Sequence, residues 1–197
     1  MKLYRTLFIV AALVIVMVPV CSWAQIDSGP DGIGIYFDEN ATVVSTTAVV
    51  GDVVEAYLIA TNLTHSGEIG MWEAKMCPWG GLGEIDGTPT HGGYNYNMNM
   101  PGDLCWACTT FAFDTPFPTS NIAILAHLNI IIWDDSAPIN LHLNADWCRY
   151  WTIDGGDDGF ALYPSSGSSD LPVATINGPA PVAVVNTEWG AIKAMYR

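Results

Sequence analysis

Asp52-Val53-Val54-Glu55-Ala56-Tyr57-Leu58-Ile59-Ala60-Thr61 decides the fold class. Val54, Ala56, Leu58 and Ala60 recur at every second position, which is the alternation of a strand that turns one face to a core. Gly51 stands before the run and Asn62 after it, and both residue types punctuate turns. The same reading extends to Ile122-Ala123-Ile124-Leu125-Ala126-His127-Leu128-Asn129-Ile130-Ile131-Ile132-Trp133. Its apolar content would suit a buried helix, but the isoleucine-rich end and the period of two through Ile124, Ala126, Leu128 and Ile130 assign it to a strand.

Working outward, shorter strand signals stand at residues 34–37, 69–77, 109–113, 139–143, 159–163, 171–176 and 181–185, each bounded by turn-forming residues. Short strands separated by turns, with no crossover helices between them, predict an all-β fold: a two-sheet antiparallel β-sandwich of jelly-roll or immunoglobulin-like type. Two stretches break the pattern. Residues 79–106 are rich in Gly, Asn, Pro and Tyr without sustained periodicity and read as a long loop or an elaborated hairpin. At residues 187–197, Thr187 is a plausible N-cap, and Trp189, Ile192 and Met195 with Tyr196 have the spacing of a short amphipathic helix.

The N-terminus carries Lys2 and Arg5 ahead of an apolar run from Leu7 to Val20, then the small residues Ser22 and Ala24. This is the pattern of a signal peptide over residues 1–24, cut before Gln25. The run is too short and too interrupted by Pro19 for a membrane span, which needs about 20 apolar residues. The expected mature protein is therefore a β-sandwich domain at 25–186 plus the 187–197 tail, secreted, periplasmic or on the cell surface.

All 20 acidic residues lie after the cut, against the four basic residues Lys75, Arg149, Lys193 and Arg197, which sets the mature net charge at −16. Such a surface repels phosphate backbones, so nucleic acid is excluded as a partner. Cys77, Cys105, Cys108 and Cys148 remain once Cys21 leaves with the signal. An even number in an exported chain predicts two disulfides, with three pairings open. Zinc is the competing reading of Cys105-Trp106-Ala107-Cys108, but the second CxxC that strengthens such a signal is missing.

The strand opening at Gly51-Asp52-Val53-Val54, the turn at Asn62 and the glycine entry to residues 67–74 resemble the opening of cohesin-like sandwiches. The closing stretch resembles theirs too: Asp158-Gly159-Phe160-Ala161-Leu162-Tyr163, a Ser/Gly turn, then Leu171 to Gly178. The likeness reaches about half the mature chain and extends at fold level to carbohydrate-binding modules. It implies a non-catalytic recognition module of a secreted bacterial protein. The cysteine-bearing middle, 77–108, departs from a plain cohesin.

Chemical motifs are sparse. His65, His91, His127 and His142 lack metalloprotease spacing, and no serine lies in a nucleophile elbow. Glu55, Glu73, Asp114, Asp134 and Asp135 supply carboxylates for a hydrolase, the alternative to a binding module. Asp154, Asp157 and Asp158 form an acidic loop that could attract calcium, but Gly156 and Ser165 stand where an EF-hand needs ligands, so a turn explains it and no cofactor is expected. The most suggestive group is Trp79, Tyr94, Asn95, Tyr96, Asn97 and Trp106, joined by Asn99, in the 79–106 excursion. Flat apolar rings beside directional amides suit a glycan or an extracellular protein partner. The bland reading is that these aromatics cap the core.

Overall fold

The computed structural model describes residues 27, 29–64, 67–80, 83–92, 94–97, 106–144 and 161–182. Within them the elements are β1 (Gly32–Tyr36), β2 (Ser45–Thr46), β3 (Val53–Thr61), β4 (Glu68–Gly80), β5 (Gly83–Pro89), β6 (Tyr94–Asn97), β7 (Trp106–Pro118), β8 (Ile122–Ile132), β9 (Ile139–Asn144), β10 (Tyr163–Pro164) and β11 (Ala174–Ile176). They form two sheets, one ordered β10-β1-β3-β8-β5 and the other β2-β11-β9-β4-β7-β6. Pairing is antiparallel throughout except for the two-residue ladders β1 to β10 and β2 to β11. The protein is an all-β sandwich, as its alternating strands require.

The core lies between the sheets. Ala56, Leu58 and Ala60 of β3 are buried in it with Val54 packed alongside, the face that the alternation predicts. Across the register stand Ala126, Leu128 and Ile130 of β8, and from the second sheet come Ile69, Trp72, Met76, Leu141 and Leu143. One part of the alternation differs from expectation. A bulge between the Leu58 and Ile59 pairings leaves Leu125 as an extra residue in β8, so Leu125 and Ala123 take the core side while Ile124 moves to the outer face. A bulge adds one residue and reverses the side-chain phase beyond it.

The 79–106 excursion also differs from a loop. Trp79 and Gly80 finish β4, Trp106 opens β7, and the chain between contributes β5 to one sheet and β6 to the other. Glycine and Pro89 hid β5 from a composition-based reading, yet β5 is the last strand of its sheet, where a missing N–H is tolerated. The short β2 was likewise not expected. The signal peptide, the 187–197 helix and most of the predicted strand at 181–185 lie outside the described residues; Pro181 and Val182 are not in a strand.

Candidate binding surface

Register places the backbones of all six proposed ligand residues in the second sheet. Trp79 lies opposite Asn140 of β9, Trp106 opposite Met76 of β4, and Tyr94, Asn95, Tyr96 and Asn97 constitute β6, opposite Ala112, Phe111, Thr110 and Thr109 of β7. The β7 to β4 ladder continues the rows: Ala112 faces Met71, Phe111 faces Trp72, and Thr110 faces Glu73. Paired residues share a side of the sheet, so the Tyr94 and Tyr96 positions belong to the row of Met71 and Glu73, while Asn95 belongs to the row of the buried Trp72. The sequence motif of interleaved rings and amides is, in a strand, divided between two faces. Asn99 lies outside the described residues.

A second feature escaped the sequence reading. Asp27 is buried on the outer side of β1, where its Oδ2 accepts a 2.5 Å hydrogen bond from Thr61 Oγ1 and its Oδ1 accepts 3.0 Å from the Gly29 N–H. Asn62, in the left-handed region at φ 52°, donates to the Asp27 and Gly29 carbonyl oxygens and ties this segment to the end of β3. Burial pushes the Asp27 carboxyl above its ordinary range, against the opposing effect of these hydrogen bonds. Close by, desolvation pushes the Tyr36 phenol up to about 12, while the Ser165 and Thr61 hydroxyls pull it partway back. Among the described residues, the buried Tyr36 and Ser165 hydroxyls meet no partner in regular hydrogen-bond geometry.

The signal for this cluster was in β1. A methyl at Gly32 would stand 1.6 Å from Asp27 Oδ2, and one at Gly34 would stand 2.5 Å from Ser165 Oγ. The alternation Gly32-Ile33-Gly34-Ile35 thus marks a strand with large residues toward the core and nothing on the other side, because other chain segments pack there.

The remaining candidates are dispersed. His127 of β8 meets Tyr57 edge-on at 5.1 Å, His91 meets Phe113 at 6.1 Å, and buried His142 of β9 places Nδ1 3.4 Å from the Ser169 carbonyl oxygen. Among the carboxylates weighed for hydrolysis, Glu55 is in β3 of one sheet, Glu73 and Asp114 are in β4 and β7 of the other, and Asp134 and Asp135 follow β8. Asp134 accepts from the Ser136 N–H at 2.9 Å, and Ser136 holds it below the usual carboxylate range; Asp135 accepts from the Val50 N–H at 3.3 Å. These two organise turns. Cys77 and Cys108 belong to β4 and β7, whereas their side chains, Cys105, Cys148, His65 and the acidic loop of Asp154, Asp157 and Asp158 lie outside the described residues. No helix among the described residues is long and apolar enough to cross a membrane.

Solved structures similar to this chain are cohesin modules. The sixth cohesin of scaffoldin B from Acetivibrio cellulolyticus, solved in complex with a Cel5 dockerin variant, superposes with a TM-score of 0.52 at 12% identity, over 77% of this chain and 100% of that one. The fold is cohesin-like. Two further cohesins align over similar lengths: the third ScaB cohesin of R. flavefaciens, in complex with a group 1 dockerin, at 13% identity, TM-score 0.44, 77% of this chain and 99% of that one; and the second type II cohesin of the adaptor ScaA of A. cellulolyticus, at 12% identity, TM-score 0.46, 83% and 99%. No family model matches the sequence, and no curated protein does. The cohesin-like fold agrees with the resemblance drawn from Gly51 to Ala74 and Asp158 to Gly178.

Proposed function

We propose that this domain is a non-catalytic recognition module, exported from the cytoplasm, which binds an extracellular protein through the β4-β7-β6 part of its second sheet. The observation that carries the reading is the register: Trp79 of β4 and Tyr94 and Tyr96 of β6 belong to one stretch of sheet joined by β7, whereas the Trp106 position, opposite the buried Met76, belongs to the core side. Aromatic residues on a rigid sheet offer contact area with little rotamer freedom to lose, which is what a recognition surface requires. Support for a protein partner over a glycan comes from the cohesin likeness, since the compared Acetivibrio module was solved with a dockerin bound. The four cysteines as two disulfides, and function outside the cytoplasm, belong to the same proposal.

The test uses the mature chain as bait for the secreted proteins of its source cells, with a glycan array and a hydrolase substrate panel in parallel. A protein retained by the wild type and lost with Tyr94→Ala/Tyr96→Ala at unchanged melting temperature supports the proposal. Glycan binding with the same loss replaces the partner by a carbohydrate. Turnover abolished by one carboxylate substitution overturns it in favour of a hydrolase.

A further inference from the structure

The outer side of β1 is closed by a strap whose anchor is a buried carboxyl. Asp27 is 5% exposed and fills the space that a methyl at Gly32 would take; its Oδ2 accepts from Thr61 Oγ1 at 2.5 Å and its Oδ1 from the Gly29 N–H at 3.0 Å. Both donors are neutral. Among the described residues, β1 brings the Tyr36 phenol near this carboxyl, and the segment after β1 brings Asp38, which acts on Tyr36. The only carboxylate of β3, Glu55, stands toward the far end of the strand, and the stretch 161–166 contributes Ser165 and the exposed Tyr163. Asp31, in the strap itself, accepts two 2.7 Å hydrogen bonds from Thr64. No lysine, arginine or histidine occurs in these elements.

We propose that this strap, carrying Asp27, Gly29 and Asp31, is a proton-operated latch, fastened over β1 while the Asp27 carboxyl is neutral and released when it ionises. A buried carboxylate with no cation beside it is costly, whereas a neutral carboxyl that is hydrogen-bonded is tolerated. The neutral form also has a proton to donate, and the buried Tyr36 and Ser165 hydroxyls lie on the same side of β1, without a partner in regular geometry among the described residues. Burial raises the Asp27 carboxyl, with the Thr61 and Gly29 hydrogen bonds opposing it. The fastened state is therefore favoured below the ordinary value of 3.8 and weakens as pH rises through the folded one. The strap yields before the sandwich does because its other attachments are few. Asn62 Nδ2 donates to the Asp27 and Gly29 carbonyl oxygens, the Asp31 N–H donates to the Asn62 carbonyl oxygen at 3.0 Å, and Thr64 holds Asp31. β3, by contrast, is paired with β8 along its whole length. Segments secured by few buried contacts open locally at far less cost than the whole fold. Release bares the Gly32 and Gly34 side of β1, so acidic and neutral surroundings meet two different surfaces at this end.

The experiment follows the whole mature chain by NMR from about pH 3 to about pH 8. It reads the Asp27 carboxyl carbon and the hydrogen-exchange protection of single amides, corrected for the intrinsic exchange rate. Protection at Asp31 and Thr64 is expected to fall about tenfold, with the same midpoint at which Asp27 titrates. Ile132, whose N–H donates to the Asp52 carbonyl oxygen at the other end of the sheet, should keep its protection. Asp27→Asn should stay fastened throughout, since its amide is neutral at every pH. Thr61→Val removes a hydrogen bond that favours the ionised carboxyl, so the titration and the loss of protection should move together to higher pH. Flat protection in the wild type, or a fall that does not follow the Asp27 carboxyl, overturns the proposal. So does an equal fall in Asp27→Asn, or a loss that reaches Ile132 to the same extent.

Discussion

The two ends of β3 are made of similar residues and meet different fates. At the Thr61 end the strand is covered on both sides: Leu58 and Ala60 face the core between the sheets, while Ile59 packs outward with Tyr36, Ala41 and Val44, and Thr61 holds Asp27. At the Val53 end the outer side is bare, and Val53 and Trp133 stand in solvent. Intrinsic preference does not separate the ends, since valine and isoleucine are equally at home in a strand. The difference is what the chain lays over them. A hairpin-like segment from Phe37 to Val44, organised by Asp38 through Thr42 and Val43, and the stretch around Ser165 cover one end, and no comparable described segment covers the other. Burial in this sandwich is decided by topology acting on an already apolar surface.

Substitutions can break that contrast, and the largest effect belongs to the shared interior. Leu58→Ala removes a fully buried side chain and should lower unfolding free energy by about 2–5 kcal/mol, read from the denaturant midpoint at constant slope. Gly32→Ala comes next, at about 1–3 kcal/mol, because its methyl has to displace Asp27 and Thr61 from their hydrogen bond. A Gly32→Ala protein as stable as the wild type would mean that Asp27 is not seated against β1.

Asp27 also gives the covered end a pH signature. Its carboxyl is raised in the folded state by burial, so the protonated form suits the fold and the ionised form opposes it. Stability from this group is therefore fully present below the unfolded value of 3.8 and is lost as pH rises through the higher folded value. The melting temperature of the wild type should fall relative to Asp27→Asn as pH increases from about 4 to 7. A difference between the two that stays constant with pH contradicts the assignment. At the bare end, Val53→Thr should change stability by less than about 0.5 kcal/mol, and a substantially larger loss would show that Val53 is covered.

The strands at 53–61 and 122–132 were legible because both alternate along a half-buried face, and that alternation was enough for the sandwich. Leu125 shows its limit. Nothing in Ile124-Leu125-Ala126 announces a bulge, since all three residues are apolar and either phase fills a core. The strands β5 and β6 were hidden for another reason: Gly83, Gly87 and Pro89 weaken local strand signals that edge pairing with β8 overrides, and Tyr94-Asn95-Tyr96-Asn97 read as a loop because asparagine is a turn former. The proposed contact residues stand out in the sequence by their chemistry, while the row structure that divides Tyr94 and Tyr96 from Asn95 is set by the register of β6 on β7. The Asp27 cluster left one trace in the sequence, the two glycines flanking Ile33, whose meaning depends on Asp27 and Thr61 beside Gly32 and on the distant Ser165 beside Gly34.

The central claim is that the sandwich recognises a protein through β4, β7 and β6, and retention of a secreted partner by immobilised mature domain tests it most directly. The wild type should hold one partner at a defined stoichiometry, Tyr94→Ala/Tyr96→Ala should lose it by at least about tenfold in affinity, which is about 1.4 kcal/mol, and both should melt together. Undiminished binding by the double variant, or a matching loss of thermal stability, would contradict the claim.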